Sequence, residues 1–332
     1  MRLLMVGIVA AVTLWGGYWY FGSSAVERGL ANWFEARQAE GWQADYGAIE
    51  TAGFPNRFDT TISDLNLADP DTGVAWTMPF FQILTLSYTP NHIVVVFPDE
   101  QFIANPVERL TLLSDTMRGS VVFEPNTSLA LDRSSFELAG LDLSSSEGWS
   151  TTVESGQVAT RQNGGPDSHD IYFSASEMRP SQPLLDLIDP RGSLPVVFQG
   201  VTLDLTASFD AAWDRFALEE RRPQPTAIAL RLFSADWGEL TFQATGEVTV
   251  DDLGVPSGEI SLRAKNWKDM LQIAVDSGLI GSSTRPTIEN MLGVLAGLSG
   301  NPNTIDAPLT FRDGRAYMAG LPIGPAPRLV LY

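Results

Sequence analysis

Hydrophobic and polar positions follow three successive rules along this chain. Residues 3–21, from Leu3 to Phe21, are a run of nineteen without a charge, set behind Met1 and Arg2. At about 1.5 Å of rise per residue such a run covers a hydrocarbon core of roughly 30 Å, so the pattern predicts a transmembrane helix over 1–24. Trp15, Tyr18, Trp19, Tyr20 and Phe21 close it with the rings that favour a headgroup boundary. Apolar residues then recur at helical spacing: Val26, Leu30, Trp33, Phe34 and Arg37 share one face, with Glu27, Arg28, Glu35 and Gln38 elsewhere. This predicts a separate amphipathic helix over 25–43, ending near Gly41 and packing on the sheet that follows.

From Asp45 the period becomes two. Phe58, Thr60 and Ile62, then Leu65 and Leu67, read as a strand with a slip near Ser63-Asp64, closed by the turn Asp69-Pro70-Asp71-Thr72-Gly73. Further strands are expected from about Phe81 and from Ile93, joined through Thr89-Pro90-Asn91, then over 109–114, 119–124, 129–143 with a bulge at Ala139-Gly140, and 150–161. Asn163-Gly164-Gly165-Pro166 is a loop. Val201, Leu203, Leu205, Ala207 and Phe209 alternate most cleanly, and Asp210 is placed to cap a short helix. Strands resume over 227–234, 239–250 and 258–264, with glycine preceding alternating apolar residues at Gly246 and Gly258. Two helices follow, over 266–277 and 284–298, whose core positions include Trp267, Met270, Leu271, Ile273, Ala274, Met291, Leu292, Val294, Leu295 and Leu298, and the chain ends in a hairpin at Asp313-Gly314. The fold class is therefore mainly β with a few helices (α+β), a long curved antiparallel meander over 44–332, divisible into two lobes near 163–200.

Charge narrows the partners. The net charge is −19, and Lys265 and Lys268 are the sole lysines. Nucleic-acid binding, which depends on neutralising phosphates, is excluded. Arg2 at the start of the apolar run puts the N-terminus in the cytoplasm and the rest across the membrane. The chain has no cysteine, hence no disulfide and no lipoprotein anchor. The rival reading of residues 1–25 is a signal peptide cut after Ala25; bulky aromatics before the cut favour retention.

Catalytic chemistry is sparse. Histidine occurs only at His92 and His169. Asp167-Ser168-His169-Asp170 holds metal-ligand types, yet neighbours on one strand diverge. Asp69-Pro70-Asp71-Thr72-Gly73 begins like a calcium loop but lacks the later glutamate, so it reads as a turn. No nucleophile elbow, zinc-protease helix or phosphate loop is present. The sequence calls for no cofactor and no metal, and the expectation is a protein that is not an enzyme.

Three stretches carry a family likeness: Gly53-Phe54-Pro55-Asn56-Arg57-Phe58 leading to Leu65-Asn66-Leu67-Ala68-Asp69-Pro70; Tyr88-Thr89-Pro90-Asn91-His92-Ile93-Val94 with Phe97-Pro98; and Phe311-Arg312-Asp313-Gly314-Arg315-Ala316 with Ile323-Gly324-Pro325. With the anchor, they make the chain resemble the bacterial domain of unknown function 2125 family, found largely in alphaproteobacteria, over nearly its whole length. The resemblance implies no activity. In architecture the chain is also similar to AsmA-like envelope proteins, which implies a curved sheet with an apolar inner face and a part in moving lipids.

The resulting expectation is a single-pass inner-membrane protein with a periplasmic ectodomain, held through Leu3 to Phe21, that binds or passes a lipid or other apolar molecule. Phe81, Leu86, Val95, Val121, Phe123, Leu203 and Phe209 are the candidate groove lining; the same residues would serve as ordinary core if helices cover them. The alternatives are an envelope scaffold or assembly factor that meets other envelope proteins and, last, a hydrolase built on His169 or a carboxylate pair.

Overall fold

The apolar run and the amphipathic segment behind it form one helix, α1 (Arg2–Ala39), not two. Gly22, Ser23, Ser24 and Ala25 contain no proline to stop it, and two of them face protein: Ser23 is buried, and a Cβ on Gly22 would stand 2.7 Å from the Phe58 ring. The computed structural model describes residues 1–219, 221–298 and 300–331. Contacts divide the chain into two units, Met1–Phe123 with Phe136–Gly148, and Glu124–Ser135 with Trp149–Tyr332. This division falls before the 163–200 expected from composition, because Asn163 to Pro166 is only a hairpin turn: Asn163 N–H donates to Ser168 O at 2.8 Å and pairing runs on either side of it.

The protein is mainly β, and every described strand pair is antiparallel. In the first unit α1 is followed by β1 (Gln43–Asp45), β2 (Ala48–Ala52), β3 (Arg57–Ala68), β4 (Ala75–Leu86), β5 (Thr89–Val96), β6 (Glu100–Ala104), β7 (Arg109–Leu113), β8 (Thr116–Phe123) and most of β9 (Leu131–Ser145). The second half of α1 lies along β1 and β2, and its contacts recur at helical spacing. Glu27 Oε1 accepts the Thr51 N–H at 2.8 Å, Phe34 is buried, and Gln38 Nε2 donates to Ala44 O at 2.6 Å. Glu27 and Gln38, expected off the packing face, are on it, because the sheet edge offers backbone groups that need partners. Toward the middle of the helix Trp15 Nε1 donates to Pro55 O at 2.9 Å, Tyr18 Oη to Ser87 O at 2.6 Å, and Trp19 Nε1 to Arg57 O at 2.7 Å.

In the second unit β10 (Ser150–Gln162), β11 (Ser168–Arg179), α2 (Gln182–Ile188), β12 (Phe198–Phe209), α3 (Phe216–Glu219), β13 (Pro225–Trp237), β14 (Leu240–Val250) and β15 (Pro256–Lys265) are followed by α4 (Trp267–Asp276), α5 (Arg285–Leu298), β16 (Thr304–Arg312), β17 (Arg315–Met318) and β18 (Leu321–Pro325). Each of these strands pairs with the next one in sequence, as a meander should. Helices α4 and α5 bury Trp267, Leu271, Leu295 and Ala296 against Ile305 and Ala307. Val294, expected in that core, is 66% exposed, and the side chain of Leu298 lies outside the described residues. The cap of α3 is Asp214, whose carboxylate accepts the Phe216 N–H at 2.9 Å. Asp210 instead accepts the Gln224 N–H at 2.8 Å and pairs with Arg221.

The opposite, polar face of β11–β13 holds Arg231 between Asp170 and Asp204. The Thr206 hydroxyl, donating at 2.6 Å, leads the groups that hold the Asp170 carboxyl below its ordinary range, with Asn163 and Arg231 adding to it. A depressed carboxyl pKa stabilises the fold above the unfolded value and loses that contribution as pH falls through the folded one. Thr206→Val is therefore expected to bring Asp170 back toward the ordinary value of 3.8, so that acid unfolding of the second unit begins at higher pH than in the parent. Carboxyl chemical shifts followed through an acid titration check it.

Candidate functional site

One cavity in the first unit is walled almost wholly by hydrocarbon. It lies between α1 and the β3–β4 hairpin, holds about 280 Å³, and is lined by Leu30, Trp33 and Phe34 from the helix and by Ile62, Leu65, Leu67, Trp76, Met78, Phe81 and Ile83 from the sheet. Register explains the sheet wall. Ile62 opposes Phe81, Leu65 opposes Met78 and Leu67 opposes Trp76, and directly opposed residues share a face. Ile62 and Leu65 differ in parity, so the alternation must slip between them; Asp64 takes a left-handed backbone at φ 49°, where the slip was expected. Helix α1 closes the cavity from above through Phe34, 3% exposed, while Trp33 stays 43% exposed at the mouth.

The apolar face continues past the cavity. Ile83 opposes Val95 and Ile93 opposes Val121, so Phe81, Val95, Val121 and Phe123 from the expected lining do share one half-buried face. Leu86 does not. It opposes Arg57 while Thr85 opposes Phe58, which puts Leu86 on the other face, five residues and hence an odd number of steps from Phe81. Leu203 and Phe209 belong to the second unit. Leu203 joins a half-buried apolar row with Phe173 and Phe233, whereas Phe209 is a covered core residue, 9% exposed with the Trp213 ring edge-on at 5.5 Å. Trp76 and Met78 line the cavity without having been expected to. The strand was expected only from about Phe81, two residues after Pro79, a residue type that rarely stands inside a paired strand. Pro79 is accommodated at an exposed position, opposite the Asp64 slip.

The polar candidates are each engaged separately. His92 Nε2 meets Ser120 Oγ at 2.9 Å. His169 is 2% exposed with Nε2 3.0 Å from Leu131 O, on the face opposite Asp170, which serves Thr206 and Arg231. Asp69 spends its carboxylate on its own turn, accepting from the Asp71 N–H and the Thr72 hydroxyl. Among the described residues no three metal-ligating side chains gather.

Two stretches that carry the family likeness are brought together: Ser87, the residue before the second, donates its N–H to Asn56 O of the first at 2.9 Å, which sets the β2–β3 turn beside the β4–β5 turn. The latter turn is Ser87-Tyr88, with Thr89-Pro90-Asn91 already in β5 rather than in the turn as expected. A family model described as "Uncharacterized protein conserved in bacteria (DUF2125)" matches residues 19–327. No curated protein and no solved structure matches the chain.

Proposed function

Because the chain belongs to the DUF2125 family of uncharacterised bacterial proteins, which brings no activity with it, we propose a function from geometry: a membrane-anchored, non-enzymatic protein of the cell envelope that takes an apolar chain, such as the acyl chain of a lipid, into the α1–β3–β4 cavity. On this reading the anchor sits in the inner membrane and the strands that follow it face the periplasm. The observation that carries the proposal is that one helix does two things. Helix α1 is long and apolar enough to cross a membrane, and its continuation forms a wall of the apolar cavity. At about 280 Å³ the cavity stands at the lower edge of the roughly 300–1,000 Å³ usual for small-molecule sites. That suits one chain end, not a whole lipid.

Native mass spectrometry of the full chain released from its membrane tests this. The parent is expected to carry a lipid adduct. Ile83→Trp, which fills the cavity from the sheet side, is expected to lower adduct occupancy about tenfold, the equivalent of ~1.4 kcal/mol, with an unchanged circular dichroism spectrum. A parent without an adduct, or equal occupancy in the variant, overturns the proposal; a defined protein cross-linked to the empty parent would then favour the scaffold.

A further inference from the structure

We infer that the β2–β3 and β4–β5 turns of the first unit are immersed in the bilayer, in the leaflet through which α1 leaves the membrane. The inference rests on the anchoring part of the proposed function and adds to it a second, monotopic contact with phospholipid. Its starting point is a length mismatch. The first hydrogen bond from α1 to the rest of its unit is made by Trp15, and residues 2–14 rise only about 20 Å at 1.5 Å each. A hydrocarbon core is roughly 30 Å thick. Crossing it takes α1 on through about residue 21, after which Gly22, Ser23 and Ser24 interrupt the apolar run, so whatever is fastened to Trp15, Tyr18 and Trp19 goes in with it.

What is fastened there is built for that depth. Backbone carbonyls in a turn ordinarily bond to water, which the membrane lacks, and an unpaired one is costly there. The carbonyls of Pro55, Arg57 and Ser87 each receive a side-chain donor from α1, from Trp15, Trp19 and Tyr18 in that order. Ser87 is fully buried, and its N–H is taken by Asn56 O. The large side chains left outside are rings, Phe54 at 58% and Tyr88 at 61% exposed with Tyr20 and Phe21 of α1 at 65% and 70%, beside the smaller exposed Pro55 and Asn56. Arg57, the single charge in the two turns, is paired with Asp59 at 2.9 Å, at the base of its turn where a guanidinium reaches the phosphates. The other end of the β3–β4 hairpin is of opposite character, a turn of Asp69, Asp71 and Thr72. A net charge of −19 gives no attraction to anionic lipid, so insertion depends on the rings and is expected in zwitterionic bilayers.

The absence of cysteine permits a background-free test. Single variants Phe54→Cys, Tyr88→Cys, Leu14→Cys and Val107→Cys of the full chain would carry a nitrobenzoxadiazole label in phosphatidylcholine nanodiscs containing doxyl lipids. Leu14 reports the span itself. Val107, 78% exposed beside Pro106, which packs on Gly73 at the far end of the β3–β4 hairpin, reports water. Quenching of about twofold at 54 and 88, matching that at 14 and absent at 107, is expected for groups seated some 5–10 Å into the headgroup and acyl boundary. Quenching at 14 without quenching at 54 and 88 overturns the immersion and leaves the anchor standing, including the case where a protein covers the rings. No quenching at 14 overturns both.

Discussion

Gly246→Ala is expected to unfold the second unit at temperatures where the parent is folded. Gly246 adopts φ 152° within β14, opposite Ile260 of β15, and Gly258 adopts φ 144° opposite Val248. A methyl group on Gly246 would run into the Glu259 carbonyl oxygen, and one on Gly258 into the Glu247 carbonyl oxygen. Both obstacles are backbone in a paired strand, so neither can swing aside as a long side chain would. Relief requires the two strands to separate where Ala244 and Val248 are buried. The cost is expected to exceed about 3 kcal/mol, at the upper end of single substitutions. Gly293→Ala in α5 is the matched control. Nothing lies within 4 Å of a Cβ there and its φ is not left-handed, so alanine is expected to be neutral or to stabilise by roughly 0.5–1 kcal/mol. Calorimetry of the full chain separates the two. Melting of Gly246→Ala at the parental temperature would mean that β14 and β15 are less tightly paired than their register requires.

The two glycines illustrate what a single sequence carries and what it leaves to tertiary structure. Their place ahead of alternating apolar residues is visible in the sequence; the close approach of a second strand, which is their reason, is not. Period two gave the meander of β10–β17 directly, since each strand pairs with its neighbour in sequence; β18, with Pro322 and Pro325 in it, was not expected. It gave less for the first unit, where β4 pairs with both β5 and β6, and β5 with β8, and long-range pairing of that kind leaves no local mark. The same reason hides the unit boundary: β9 runs from one unit into the other as one strand, and its expected bulge at Ala139-Gly140 lies past the boundary at Ser135 and Phe136. Parity could have separated Leu86 from Phe81 in advance. The Trp213 ring over Phe209 could not have been foreseen, because it comes from a segment without regular structure. The aromatic end of the apolar run was read as a headgroup belt, a matter of solvation alone. Its hydrogen bonds to Pro55, Arg57 and Ser87 give the same residues a second, structural duty.

Phe34→Ala is expected to cost the first unit about 3–5 kcal/mol, the usual range for removing a buried aromatic ring. Phe34 is 3% exposed and belongs to the cluster with Ala44, Ile62, Leu65 and Met78. Its ring also stands 4.6 Å from that of Tyr46, so truncation removes contacts to β3, β4 and the segment after β1 together. Hydrogen exchange on the full chain should show faster exchange in β3 and β4 and no change in β12 to β15. Trp33→Ala, one position away but 43% exposed, should cost under about 1 kcal/mol. The ring of Phe34 is at the same time a wall of the cavity, which gives the substitution a second expected signature. Removing it enlarges the space, so a bound acyl chain is retained while stability falls, and adding lipid recovers part of the loss in proportion to its occupancy. Ile83→Trp acts in the opposite sense, losing the adduct while the fold persists. If both variants lost stability and neither altered the adduct, the cavity would be packing alone and the bound chain would have to sit elsewhere on the half-buried face of β5 and β8.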